Sequence, residues 1–443
     1  MGDSIWITGG TVVALDDETR VIEDGAVKVR GAEIEWVGPR SDAGAMDGEV
    51  VDAGGRLVLP GFINAHNHFY STFACGLSPH DPPPANFKEI LERLWWALDK
   101  VLTLDDVRYS ALVAMTRAIR AGVTTIIDHH ASPNAVTGSL DAIANASRDV
   151  GVRCGLCYEV SNRDGQAIAN EGVEENLSFM KSADAKPNGL ARGMFGLHAS
   201  MTLDEDLLAR CVDAMADRSR GFHIHVSESE FDPANSLKRC GKRVVERLAD
   251  AGVLKSDTIC AHCIHLDDSE HELLADTSTC VVHNPQSNMN NAVGRADIQR
   301  MLASGVCVGL GTDGMSATML DDVRAVNLLH KHGTGDPRVG FMEAGTLLLQ
   351  NNREIVRRCL GWNVGRLAAG ARADVVLMDY LSPTPLKSEN FLGHVLFGLP
   401  NARVDSVMVD GAWRLRDGAI VGVDEREVFA KARELSAQVW KRF

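Results

Sequence analysis

The chain has 443 residues, 45% hydrophobic and 24% charged, enough to bury a large core and within reach of one large barrel plus an appendage. Its formal net charge of −15 argues against a nucleic-acid partner, whose phosphates need a basic surface, and no apolar run is long enough to span a bilayer. The opening MGDSIWITGG lacks the basic stretch and long apolar run of a secretory leader, so a cytoplasmic location with no membrane partner is expected.

Residues 1–59 read as short β elements: IWI, TVVAL, AVKV, EIEWVG and RLVLP, separated by Gly and Asp. The same texture returns at 373–379 and 405–415, the latter carrying the hairpin signal Asp410-Gly411. These ends predict one small β-sandwich built from both termini, residues 1–59 and 367–425, followed by an amphipathic helix over 426–443.

Between them, over 60–366, short apolar runs alternate with helical sequence. The runs are LPGFINA (59–65), VTTIID (123–128), VRCGLCYEV (152–160), RGMFGLH (192–198), GFHIHV (221–226), DTICAH (257–262), TCVVH (279–283) and VCVGLG (306–311). Eight strands alternating with helices predict an α/β fold, a (β/α)8 TIM-like barrel. After the first strand a turn-rich HDPPPAN insert, with His80 in a loop, leads into a helix whose apolar stripe is Phe87, Ile90, Leu91, Leu94, Trp95 and Leu98. The CxxC pairs Cys154/Cys157 and Cys260/Cys263 fall in strand runs, where residues three apart face opposite ways and cannot share a metal. The cysteines are therefore expected to be reduced apolar fillers.

Barrel sites gather at the C-terminal ends of the strands. Here those ends carry His66 and His68, then Asp128-His129-His130, His198, His223 and His225 with Glu228 beyond, His262, His283 and finally Asp313. A lone histidine at a strand end is usually structural, and His271, His330, His332 and His394 are read that way. Six coincidences with strand ends favour a shared site. His66 and His68, two apart on an extended segment, face the same way. Imidazole nitrogen suits zinc or ferrous iron, and His225 and Asp313 are the candidates to complete the ligand set, since barrel closure brings strands one and eight together.

HNH after a PGFxNxH-like strand, HxxE at 225–228, AHC at His262 and GTDG at 311–314 together resemble the amidohydrolase superfamily. The likeness covers nearly the whole chain and is to the cytosine-deaminase-like branch, with its guanine, 8-oxoguanine and S-adenosylhomocysteine deaminases and triazine hydrolases. HNHFYS, DHHASP and HNPQSNMNNAVG are most similar to SsnA-type aminohydrolases. The resemblance implies one divalent metal, Zn2+ with Fe2+ as the alternative, held by His66, His68, His225 and Asp313. His223 shares a face with His225, but the HxxE spacing favours His225. The fourth strand offers His198 where two-metal relatives carry a carboxylated lysine, so a single metal is expected.

The implied activity is deamination of a nitrogen heterocycle (a purine, pyrimidine or related cyclic amidine) by attack of a metal-bound hydroxide. A bound cation lowers the pKa of water from about 15.7 to about 7. Asp313 would accept the water's proton, Glu228 would shuttle protons, and His262 would hold the hydroxide and polarise the reacting centre. His198 lies where relatives touch substrate. His283 with Asn284, Ser287 and Asn288 reads as a polar loop able to contact a heterocycle, Tyr70 borders the pocket, and one of His129 and His130 points inward, His129 being taken as the contact. Asn67 is read as structural, and Trp95 and Trp96 as helix-packing residues, with cover of the cavity mouth as the alternative. Ring-opening hydrolysis or displacement of chloride or sulfur is the alternative chemistry, and a noncatalytic metal-binding scaffold the alternative of another class. A homo-oligomer is implied by the resemblance alone.

Overall fold

The computed structural model describes residues 4–16, 18–78, 81–186 and 188–443; the loop expected at His80 falls outside them. Eight parallel strands build the barrel: β1 (Phe62–Asn67), β2 (Val123–His130), β3 (Arg153–Tyr158), β4 (Ala191–Gly193 and Phe195–Ala199), β5 (Phe222–Val226), β6 (Ile259–His262), β7 (Cys280–His283) and β8 (Val308–Leu310). They are short and almost wholly buried, as parallel strands covered on both faces must be. β4 is broken at Met194, its first half pairing with β3 and its second with β5.

The barrel closes between β1 and the turn after β8. The amides of Thr312 and Asp313 donate to the His66 carbonyl at 3.1 and 3.0 Å. The Asn352 amide spans the seam, donating to the carbonyls of Ile63 and Leu310 at 2.7 and 2.8 Å. Gly311 is required there: a Cβ would lie 2.5 Å from Asn284 Oδ1 and 2.8 Å from the His66 carbonyl oxygen. Closure thus sets Asp313 beside the two histidines of β1.

The β structure expected from both termini is one hydrogen-bonded sheet of nine strands. Its order is Ala419–Ile420, Ala412–Arg416, Arg403–Val409, Val375–Asp379, Leu57–Pro60, Ser4–Val13, Val21–Arg30 and Glu33–Pro39, with Glu49–Asp52 also pairing with Ser4–Val13. Its apolar core includes Ile7, Val12, Val29, Val58, Val375 and Met408. The sheet is tied to the base of the barrel by Arg153, 1% exposed, which pairs with Asp374 at 3.0 Å and also with Asp410. The final helix, Glu425–Arg442, packs on Leu104–Arg120 and anchors Trp440 Nε1 on the Phe73 carbonyl at 2.8 Å.

The helix after the insert is irregular. Phe87–Ile90 runs into a π turn, Leu91–Trp95, and continues as Trp96–Lys100. The longer turn shifts the phase of the expected stripe: Phe87, Leu91 and Leu98 are buried, but Ile90, Leu94 and Trp95 are only partly so. All ten cysteines are free thiols. Among the described residues no helix is long and apolar enough to cross a membrane.

Candidate metal centre and active-site cavity

His66, His68, His225 and Asp313 converge at the top of the barrel. His68 Nε2 lies 3.2 Å from His225 Nε2 and 3.2 Å from Asp313 Oδ1, and His66 Nε2 lies 3.9 Å from the same oxygen. The opposite nitrogen of each ring is already committed. His68 Nδ1 donates to the His129 carbonyl at 2.5 Å, His225 Nδ1 to the His198 carbonyl at 2.8 Å, and His66 Nδ1 lies 2.9 Å from His223 Nε2. Three Nε2 lone pairs therefore aim into one space, and His66 Nε2 is buried with no hydrogen-bond partner. Lone pairs so opposed repel unless something positive sits between them. Three imidazoles with their second nitrogens fixed, plus one carboxylate, are a donor set that fits a divalent cation.

His223 stands one layer back. Its Nε2 meets His66, its Nδ1 lies 3.7 Å from Cys157 Sγ, and that thiol donates to the Asp128 carbonyl at 3.6 Å. Donor atoms of His129, Cys157 and His223 also cluster within 4.8 Å, but both nitrogens of His223 are engaged.

Beside the four donors stand Glu228 and His262. His262 Nε2 is 3.5 Å from Glu228 Oε2 and 3.8 Å from Asp313 Oδ2, while its Nδ1 donates to Asn288 Oδ1 at 2.8 Å. That bond leaves Nε2 as an acceptor, buried without a partner. Ser287 Oγ donates to Asp313 Oδ2 at 2.5 Å. Burial first, and the charge of Asp313 second, push the Glu228 carboxyl well above the usual range. Burial also raises Asp313, but a proton on His68 Nε2, in the place a bound cation would take, reverses this and holds it well below. Two neighbouring carboxyls pushed apart in this way suit opposite roles, one an acid and one a base.

The backbone is forced to make this arrangement. Ser227, just before Glu228, has φ of 47°, His262 has 72° and Asp313 has 51°. Such left-handed residues without glycine cost of order 1–3 kcal/mol each and persist where the surrounding structure over-determines them, typically at functional sites.

Three of the four donors, His68, His225 and Asp313, line a cavity. Phe87, Leu91, Trp95, Trp96, Met201 and Met315 line it with apolar surface, and Tyr70, Asp99, Glu159, His198, Ser229 and Asn291 with polar groups. Tyr70 and His198 are on the wall, where the sequence placed them. Three other expected contacts are not. Residues 285–290 form a helical turn with Pro285 at its start rather than a loop. Ser287 and Asn291, four apart, therefore share the face toward the cavity, and Asn288 turns back to His262. His283 lies behind Asn288, its Nε2 3.2 Å from His330 Nε2. His129 points into the barrel, stacked on His223 at 4.4 Å, with neither ring nitrogen hydrogen-bonded. His130 turns the other way, onto Ser132 at 2.9 Å.

Trp95 and Trp96, read as helix-packing residues, both reach the cavity because of the π turn. Glu159 was missed although it follows β3 at the same height as the histidines, because the signal followed was imidazole. Its Oε1 is 3.3 Å from His68 Nδ1 and its Oε2 3.6 Å from His198 Nε2, and burial pushes its carboxyl up to about 7. Asp99 carries no local signal: it sits on a helix, paired with Arg163, and burial raises it to about 6.

Comparison with known proteins places the chain among others of this architecture. The amidohydrolase family model matches residues 57–414. A 5-methylthioadenosine/S-adenosylhomocysteine deaminase of Desulforudis audaxviator is 32% identical over 429 residues, 94% of this chain and 95% of the relative. Among solved structures, a zinc-bound adenosine deaminase of Xanthomonas campestris superposes with a TM-score of 0.87 at 22% identity, covering 99% of this chain and 98% of that one. The atrazine chlorohydrolase of Arthrobacter aurescens, complexed with zinc, gives 0.83 at 22% identity over 98% and 100%. At that identity the structural likeness is one of fold.

Proposed function

Because this chain belongs to the amidohydrolase family, we propose that it is a single-metal hydrolase that deaminates a nitrogen heterocycle, a purine, pyrimidine or related cyclic amidine. The observation that carries the reading is the convergence of the Nε2 atoms of His66, His68 and His225 on Asp313, with Glu228 and His262 alongside. In it, those three histidines and Asp313 hold the ion. Zinc suits a tetrahedral N/O set and is present in both solved relatives named above; ferrous iron suits the same donors. When bound, the cation makes water acidic enough to supply a nucleophile near neutral pH.

The remaining work falls to the chain's own residues. Asp313 Oδ2, oriented by Ser287, takes the proton from the attacking water. His262 Nε2, left as an acceptor by its bond to Asn288, orients that water. Glu228, whose carboxyl burial pushes well above the usual range, gives its proton to a ring nitrogen, carries the proton from Asp313 to the departing amine, and takes back the hydroxyl proton as the ring carbonyl forms and ammonia leaves. His198, Tyr70 and the two tryptophans seat the ring. Asn288, His283 and His223 act as positioning residues behind the site, and the residues of β2 and β3 pack beneath it.

Displacement of chloride or ring opening would use the same groups. Deamination is preferred because the curated relative at 32% identity is named a deaminase, whereas the chlorohydrolase likeness is one of fold. The test is ammonia release from a purine and pyrimidine panel by zinc-loaded and iron-loaded protein. Stoichiometric ammonia from at least one member is expected; hydrolysis with no ammonia, or no hydrolysis by either loaded form, contradicts the proposal. Self-association into a dimer or larger assembly is part of the same proposal and is read by sedimentation.

A further inference from the structure

The cavity wall holds a feature that the chemistry above does not use. Glu159 Oε1 is buried with no hydrogen-bond partner, and Glu159 Oε2 lies 3.6 Å from His198 Nε2, too far for a hydrogen bond. The hydroxyl of Thr202 donates to the Ala199 carbonyl at 3.1 Å and so receives the Nδ1 proton of His198 at 2.7 Å. His198 Nε2 is therefore an acceptor. Glu159 Oε1 faces Nδ1 of His68 and of His129 at 3.3 and 3.4 Å, so it is Oε2 that stands beside His198 Nε2 on the cavity wall, two acceptors without a hydrogen bond between them. Unpaired buried acceptors are costly, and a ligand that brings a donor between them recovers that cost.

The rest of the wall sharpens the selection. Among the described residues lining the cavity there is no lysine or arginine, while Asp99, Glu159, Glu228, Asp232 and Asp313 supply five carboxyl groups. Arg163, which does not line the cavity, is ion-paired with Asp99 and Asp164 and stacks on the Trp96 ring. Apart from the proposed metal, a phosphate or carboxylate on the substrate would find carboxyl groups and no lysine or arginine on that lining. A flat ring would find Trp95, Trp96 and Phe87.

We propose that Glu159 and His198 form an acceptor pair that reads a hydrogen-bond donor on the substrate, and that the cavity takes amino heterocycles bearing such a donor and no phosphate or carboxylate. The inference rests on the deaminase reading for the reacting amine, but its binding test is independent of turnover. The zinc-loaded Glu228→Gln protein is titrated calorimetrically with adenosine and its 5′-monophosphate, guanosine and its 5′-monophosphate, and cytidine and its 5′-monophosphate. The neutral member of at least one pair is expected to bind at least about 100-fold tighter than its phosphorylated partner. Glu159→Leu is expected to weaken that ligand about ten-fold, an ordinary value for a hydrogen bond to a charged group, and Glu159→Gln, which keeps one acceptor and the shape, less. Equal or tighter binding of the phosphorylated members, binding by no member, or unchanged selectivity in both Glu159 variants would overturn it. Selective binding together with no ammonia from the wild-type protein would uphold the acceptor pair and contradict the deaminase reading alone; ammonia released with equal kcat/KM from both members of a pair would do the reverse.

Discussion

His66 Nδ1 lies 2.9 Å from His223 Nε2, so one imidazole of the proposed ligand set is oriented by another imidazole, whereas its two companions are fixed by backbone carbonyls. The backbone bonds cannot be removed by substitution, but this one can. His223→Ala should lower metal affinity about 10–100-fold, the usual cost of losing a partner behind a ligating histidine. Competition with a chromophoric chelator measures it. Affinity within two-fold of wild type would show that His66 needs no such support.

Glu228 offers the cleanest separation of metal binding from chemistry. Glu228→Gln keeps the shape and the contact with Asn291 but cannot carry a proton. Its kcat should fall by about 10²–10⁴-fold with metal content unchanged. Steady-state kinetics beside metal analysis check this, and full activity in the variant would remove Glu228 from the mechanism.

Trp96 stands over the cavity edge-on to His198, with ring centroids 6.0 Å apart. Trp96→Ala should raise KM about ten-fold, roughly the part of an aromatic side chain's burial that a bound ring shares. Metal content should not change. A fall in kcat alone would mean that the indole shapes the catalytic groups rather than the substrate.

Stability should depend on the buried ion pairs beneath the barrel. Arg153→Met leaves the buried Asp374 without its guanidinium and Asp410 with Arg372 alone, at a cost of about 3–5 kcal/mol. Burial raises the Asp410 carboxyl, but Arg372 and then Arg153 more than offset it, so its folded value lies below the ordinary 3.8. A depressed carboxylate contributes stability in full above its unfolded value and loses it as pH falls through the folded one. Denaturant midpoints should therefore drop below about pH 4, and Asp410→Asn should flatten that acid limb. A midpoint in Arg153→Met equal to that of wild type would contradict the anchoring role.

Much of this molecule was legible in the chain because a parallel barrel writes itself locally. Each strand is a short apolar run, and its functional residue is the polar one that ends it, so His66, His198, His225 and His262 announced their own positions. What escaped notice needed information from elsewhere. The π turn at Leu91–Trp95 breaks the 3.6-residue phase that puts Trp95 on the packed stripe, and both Trp95 and Trp96 reach the cavity, the less favoured of their two readings. Pro285 at the first turn of a helix makes a helical face out of residues that resemble a loop, so that Ser287 stays at the cavity as expected while Asn291 joins it in place of Asn288. Glu159 ends its strand run as plainly as the histidines end theirs, but a carboxylate is ambiguous until His68 and His198 are seen beside it. The two ends read as one β unit, but the order in which its strands pair joins residues such as Pro60 and Val375, some 320 positions apart, and no local pattern encodes that order.

The account turns on one ion among four side chains, and anomalous diffraction at the zinc and iron absorption edges would locate it. The predicted result is a single peak about 2.0–2.2 Å from Nε2 of His66, His68 and His225 and from a carboxylate oxygen of Asp313. No peak at that position in metal-loaded crystals, or a peak held instead by His129, Cys157 and His223, would contradict it.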